Sequence, residues 1–399
     1  STAMLNNSPS ILSHQNVGIF ACAAIMLGMV LSRSLMSIGM ILLLLNALVN
    51  KDVKAHFRYY ISNKALLATT SIFFLYLVSG LWSADTDYWW KRFAIKIPFL
   101  ILPFSFVALR GIDKRKLRGL LSFFLALIFG TSVWVLLNHF AGGTEANYHT
   151  GQVIEMPFSH VRFSLIVAFA IGVGMWLLEQ SFVFRYRWER YLQAFAVLFL
   201  VVFLHIVAVR SGLLALYLLM AFAFIRYIFV SKKYWIGVLV LIGFVGFTVI
   251  AFSSFPFLKD KVRYMKYSLE LYAKGEVNND LSDAKRISSI LVGIEVGKSH
   301  PLLGAGLGDI KTETAKIYAK KYPKLVESNP LPHNQFVLLF ASTGVLGLAV
   351  FCIAIFLPLF YRGAFRNPLL LGFYLVILTS FMTETTLEAL SLIHISEPT

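Results

Sequence analysis

The stretch "PHNQFVLLFASTGVLGLAVFCIAIFLPLF", Pro332 to Phe360, decides the fold. A histidine and two amides stand at its head, and no charged residue interrupts the apolar run behind them. That run exceeds the ~20 residues a helix needs to cross ~30 Å of hydrocarbon. Similar runs recur along the chain, among them "ALLATTSIFFLYLVSGLW" from Ala65 and "YWIGVLVLIGFVGFTVIAF" from Tyr234. Of the 399 residues, 58% are hydrophobic and 14% charged, against roughly 25% charged in a soluble domain. One soluble core cannot hide that surplus. The runs are also too continuous for the alternating pattern of a barrel, which leaves helices to satisfy the backbone in lipid. The sequence therefore predicts an all-α polytopic membrane protein.

Spans are expected at about 17–31, 35–49, 65–82, 93–109, 119–140, 160–178, 191–209, 212–229, 234–252, 334–358 and 368–387, with Pro98 and Pro103 kinking the fourth. Basic residues set the orientation. Lys51, Lys54, Arg58 and Lys64 share one connection, and Arg110, Lys114, Arg115, Lys116 and Arg118 another. Further basic sets are Arg185, Arg187 and Arg190; Arg226, Lys232 and Lys233; and Arg362 and Arg366. They alternate with connections that are short or carry acids, such as Asp85 and Asp87, or Glu145 and Glu155. The positive-inside rule puts the basic sets and the amino terminus in the cytoplasm. No cleavage site follows the first run, so it is read as a span rather than a signal peptide. Cys22 and Cys352 fall inside spans without metal or disulfide spacing.

The long connection, residues 253–332, then lies outside, between a bundle of nine helices at 1–252 and the last helices at 333–388. Its many lysines break the charge bias of short loops, which long loops escape. They fit either a solvated cap or a basic surface for an anionic ligand, and with the cytoplasmic sets they account for the net charge of +16. Helices are expected from Phe257 to Gly275, with Leu258, Val262, Leu269 and Tyr272 apolar; from Ser282 or Asp283 as N-cap; and from Asp309 to Tyr322. At the ends, "STA" before Met4 reads as native or as a cloning remnant, and "SLIHISEPT", within 389–399, reads as non-native sequence. Eleven spans ending outside imply a truncated twelfth.

Four groups reach the outer face in this topology: Arg162 in "SHVRFSL", Arg210 in "HIVAVRSGLLAL", Arg286 in "AKRISS" and His333. Arginine at such a boundary is costly unless it snorkels or meets an anion. Anchoring remains an alternative for Arg162 and Arg210, and a capping role for His333.

His333-Asn334, nine residues, Gly344, two residues, Gly347 resembles the His-Asn/Ser/Gln, x9, Gly-x-x-Gly signature of bacterial O-antigen ligases and their polymerase relatives. "VRSGLLAL" is similar to that family's Ser-Arg-Gly helix start, with Val209 where serine is common. "RISSILVGIEVGKSHPLLGAGLGD" resembles its arginine and glycine-rich segment. The resemblance runs from near Leu198 to "MTETTLE". It implies a GT-C-like glycosyltransferase architecture with a large helical periplasmic loop in the bacterial inner membrane. The implied reaction is inverting transfer of a glycan from undecaprenyl diphosphate to a lipid A-core hydroxyl, without cofactor or metal. His333, Arg210 and Arg286 would be catalytic, and Arg162, Asn334 and Arg263 would bind substrate. Arginine forks suit a diphosphate leaving group and histidine suits removal of a hydroxyl proton.

Other readings remain. O-antigen polymerase and protein O-oligosaccharyltransferase share the motifs, and a lipid-linked glycan transporter would use the same arginines differently. Asp85 and Asp87 form a D-x-D that fits a metal-dependent transferase or an interfacial turn. "GAGLGD" follows a helix rather than a strand, which excludes a dinucleotide loop and favours a tight turn. Basic sets on both membrane faces exclude nucleic acid as a partner.

Overall fold

The computed structural model describes residues 13–141, 154, 156–232, 256–275 and 281–388, with scattered helical positions between 234 and 249. The other positions of the expected span at 234–252, the side chains of Leu258 and Val262, the acids Glu145 and Glu155 and both chain ends lie outside the described residues. The protein is an all-α polytopic membrane protein, with no strand among the described residues. Its helices are α1 (His14–Leu31), α2 (Arg33–Leu48), α3 (Val53–Ser62), α4 (Lys64–Ser79), α5 (Thr86–Ala94), α6 (Ile97–Ser105), α7 (Lys114–Ala141), α8 (His160–Glu179), α9 (Glu189–Val207) and α10 (Arg210–Ser231). The long connection holds α11 (Pro256–Ala273), α12 (Ser282–Ser299) and α13 (Ile310–Lys321), and the chain returns through α14 (Gln335–Phe360) and α15 (Pro368–Thr383).

Among the described residues eight segments are long and apolar enough to cross a membrane, or nine if α2 and α3, bent by 106°, form one span. The spans expected at 35–49 and 368–387 are the 16-residue helices α2 and α15. Pro98 stands in the first turn of α6, where a missing N–H costs nothing, and Pro103 lies inside it. Side chains such as Phe20, Leu81, Leu198 and Phe229 are exposed, as a surface facing lipid requires. The largest core surrounds α8, whose Phe163, Val167, Ala170, Ile171 and Val173 are fully buried against α7, α9, α10 and α15.

α12 lies along the start of α14. A Cβ at Gly293 would stand 2.5 Å from the Pro332 ring, so the glycine leaves the room in which that ring packs on α12. The two glycine motifs of the sequence also meet. Gly344 interrupts α14 at φ 66°, ψ −168°, a region essentially confined to glycine. The break frees backbone groups on either side. Ala341 and Ser342 carbonyls accept from Ala305 and Gly306 N–H at 2.9 and 3.0 Å, and Val345 N–H donates to the Pro301 carbonyl at 2.9 Å. "PLLGAGLG" is thus the backbone partner of the helix break, with Gly304 at φ +69° to make the turn. Gly344→Ala is expected to cost at least ~1–3 kcal/mol, because its Cβ would lie 2.2 Å from the Leu302 carbonyl oxygen. Thermal unfolding in detergent at the wild-type midpoint would refute this interlock.

Candidate active site on the loop side

α9 ends in Ala208, which is left-handed at φ 50°, and α10 starts at Arg210. This short turn puts Arg210 at the first helical position, where its Nη1 donates to Asp283 Oδ1 at 2.6 Å. The expectation of Ser282 or Asp283 as N-cap is corrected: the cap position is Leu281, without a side-chain bond, and α12 begins at Ser282. Asp283 falls in the first turn and its carboxylate is drawn to the arginine instead.

One turn further along α12, Arg286 Nη2 donates to Glu384 Oε1 at 3.0 Å. The other oxygen, Oε2, stands 3.7 Å from His333 Nδ1, within ion-pair range and just beyond a hydrogen bond. Glu384 is one residue past α15, and Arg162, in the first turn of α8, adds its charge to the same carboxylate. Burial alone pushes the Glu384 carboxyl up, but His333, Arg286 and Arg162 together hold it below its ordinary value. It therefore remains a fixed negative charge at neutral pH.

His333 is held from two sides. Its backbone N–H donates to Ser289 Oγ of α12 at 3.2 Å. Asn334 caps α14, accepting from Phe336 and Val337 N–H at 3.0 and 3.1 Å, while its Nδ2 donates to the Met382 carbonyl at 3.4 Å. The amide is thus engaged by the fold, and the helix begins at Gln335 rather than at the histidine. Arg263 is exposed on α11, beside Tyr264, whose hydroxyl accepts from Ser282 N–H at 3.4 Å.

Behind this cluster lies a buried ion pair that the sequence reading missed. Lys96 Nζ is 3.3 Å from Glu388 Oε1, and the side chains are 0% and 3% exposed. Tyr76 donates to the same oxygen at 2.6 Å, Lys96 also donates to the Leu387 carbonyl at 2.5 Å, and Gln335 Oε1 accepts from Leu387 N–H at 3.0 Å. The turn 384–388 is therefore tied to α4, the α5–α6 junction and the start of α14. A lysine in the span expected at 93–109 was the available signal, since intramembrane charges are rarely idle. Glu384, inside the span expected at 368–387, had the same signal in "MTETTLE".

The first carboxylate of the D-x-D is engaged by the fold. Asp85 caps α5 through Tyr88 N–H at 2.8 Å, Asp87 is an exposed first-turn acid, and Asp309 accepts from Ala84 and Asp85 N–H. Among the described residues no group of three or more His, Cys, Asp or Glu is placed to hold a metal ion.

Residues 194–352 match the model of a family described as O-antigen ligase. No curated protein matches the chain. The matched stretch contains Arg210, Arg286 and His333, while Arg162 and Glu384 flank it. With both glycine motifs and the His333 cluster inside or beside that stretch, the chain is similar over residues 194–352 to the O-antigen ligase family.

Proposed function

We propose that the protein is an O-antigen ligase of the bacterial inner membrane, transferring a glycan from undecaprenyl diphosphate to a lipid A-core hydroxyl at the periplasmic face. The observation that carries this reading is the His333–Glu384–Arg286 cluster, held together by α12, α14 and α15. In it a titratable base stands beside a fixed carboxylate and an arginine fork. His333 takes the proton from the attacking hydroxyl, and Glu384 stabilises the imidazolium that forms. The hydroxyl oxygen attacks the anomeric carbon as the bond to the diphosphate breaks, and single displacement inverts the configuration.

Arg286 and Arg210 neutralise the departing diphosphate. Arg210 stands at the first position of α10, where a cation meets the wrong end of the macrodipole and an anion meets the right one. A bound diphosphate relieves that conflict. The Arg286–Glu384 pair is partly exposed, 38% and 20%, and such pairs contribute only about 0–1 kcal/mol. Phosphate oxygens, with charge-assisted bonds of about 1.5–3 kcal/mol each, are able to displace Glu384 from it. Arg263 and Arg162 extend the basic surface, and Asn334 serves the site by fixing His333.

Reconstitution with the lipid-linked donor and lipid A-core tests the assignment. Growth of the glycan on its carrier, without transfer to lipid A-core, would make the protein a polymerase instead. Arg286→Ala is expected to weaken donor binding as well as turnover. Arg286→Lys should restore it only in part, because an ammonium keeps the charge and loses the fork. Equal activity of the lysine variant and wild type would remove the bidentate role. Glu384→Gln, which keeps the shape and removes the charge, is expected to slow transfer by about 10- to 100-fold. A wild-type rate in that variant would leave Glu384 with no part in the chemistry.

A further inference from the structure

Beside the cluster lies a cavity of about 620 Å³, within the ~300–1,000 Å³ of ligand pockets. Three guanidiniums line it, and each comes from a different helix: Arg33 at the start of α2, Arg92 in the last turn of α5 and Arg162 in the first turn of α8. Ser159, Thr385 and Glu388 also contribute to the wall. Glu388 is the one carboxylate among the lining residues, and it is shared with Lys96 behind it. Arg92 Nη1 donates to the Glu388 main-chain carbonyl at 3.0 Å, which fixes that guanidinium in the wall. Arg33 and Arg162 are close enough to act on each other electrostatically.

Three guanidiniums around one cavity concentrate positive charge there, with Glu384 acting on Arg162 from one side, and such a wall attracts a ligand anion. The starts of α2 and α8 add the positive ends of two helices. The cavity also adjoins the reacting groups, since Thr385 follows Glu384 in the chain and Arg162 acts on both places.

We propose that this cavity is a second anion subsite that binds a phosphorylated saccharide, with Arg33, Arg92 and Arg162 on the phosphate and the Ser159 and Thr385 hydroxyls on the sugar. The inference rests on the ligase reading for its two possible sources. One is an anionic group on the donor glycan, apart from the diphosphate held by Arg210 and Arg286, and the other is a phosphate carried by the acceptor saccharide. In either case the cavity orients one substrate relative to His333 while Arg210 and Arg286 serve the leaving group.

The test uses Arg33→Gln, which removes an exposed charge, and Ser159→Glu, which places a carboxylate in the cavity. Inorganic pyrophosphate is titrated into the purified full chain in detergent and read by thermal unfolding. Steady-state transfer is then measured with the donor varied, and separately with phosphorylated and dephosphorylated lipid A-core varied. Arg33→Gln should require about tenfold more pyrophosphate for the same shift, the weakening expected for one lost charge-assisted contact. The KM of one substrate should rise by a similar factor while kcat stays within about twofold. A rise for the donor assigns the cavity to the donor glycan. A rise for phosphorylated acceptor alone assigns it to the acceptor. Wild-type pyrophosphate titration and both wild-type KM values, in both variants shown to be folded, would overturn the subsite. Absence of transfer by the wild-type chain would sink the ligase reading instead, and the pyrophosphate titration would still decide the cavity.

Discussion

His333→Ala is expected to lower glycan transfer by about 10²–10⁴-fold while leaving donor binding nearly unchanged. The proton on the acceptor hydroxyl is lost only as the oxygen attacks, so the imidazole contributes to the transition state and little to the ground state. The scaffold should survive, because His333 is positioned through its backbone N–H on Ser289 and through its neighbour Asn334, and neither contact uses the imidazole. Glu384→Gln added to His333→Ala should cost little further, since a carboxylate that acts through an imidazole has nothing left to act on. Chelator should leave the wild-type rate unchanged, as charge neutralisation is assigned to arginine. The assay is transfer from the lipid diphosphate donor in liposomes, with donor binding measured on the same preparations. Full activity of His333→Ala would eliminate the base. Chelator-sensitive activity that also required Asp85 would move the chemistry to a metal.

Why the histidine was legible and its partner was not follows from chain distance. Apolar runs of spanning length exposed the bundle, because in lipid each span must close its own hydrogen bonds and therefore announces itself locally. The helices of the long connection were visible by the same local periodicity. His333 and Asn334 stood at a boundary between a turn and an apolar helix, and Arg210 at another, so both were conspicuous without knowledge of any contact. Glu384 sits 98 residues from Arg286 and Lys96 sits 291 from the Leu387 carbonyl it binds. Such pairings are products of how the helices pack, and no local pattern encodes them. The glycine motifs show the intermediate case. Each was recognisable as a turn or a break, but their shared hydrogen bonds, Ala305 to Ala341 and Gly306 to Ser342, appear only when α12 is laid against α14. Asp283 shows the reverse error: its type and place suit a cap, and a nearby guanidinium outcompeted the helix's own N–H groups.

Lys96→Met is expected to destabilise the folded protein by about 3–5 kcal/mol. Glu388 is 3% exposed, and with Lys96 gone its charge would keep the Tyr76 hydroxyl as its remaining side-chain partner. The penalty arises from the stranded charge more than from the lost attraction, which makes the double variant informative. Lys96→Met combined with Glu388→Gln removes both charges and should recover most of the loss, because two charges withdrawn from water stabilise little net over neutral groups of similar size. Melting in detergent at the wild-type midpoint for the single variant would show that the pair is not buried as described. A functional consequence follows from the geometry. The Lys96 ammonium, the Tyr76 hydroxyl and the Gln335 amide all grip the turn that begins at Glu384. Loosening that grip frees the carboxylate that sits between Arg286 and His333. Transfer by the double variant should therefore fall below wild type even where its stability is regained, and Glu384→Gln should slow that variant less than it slows wild type. Equal effects of Glu384→Gln in the two backgrounds would mean that the buried pair supports the fold without positioning the site.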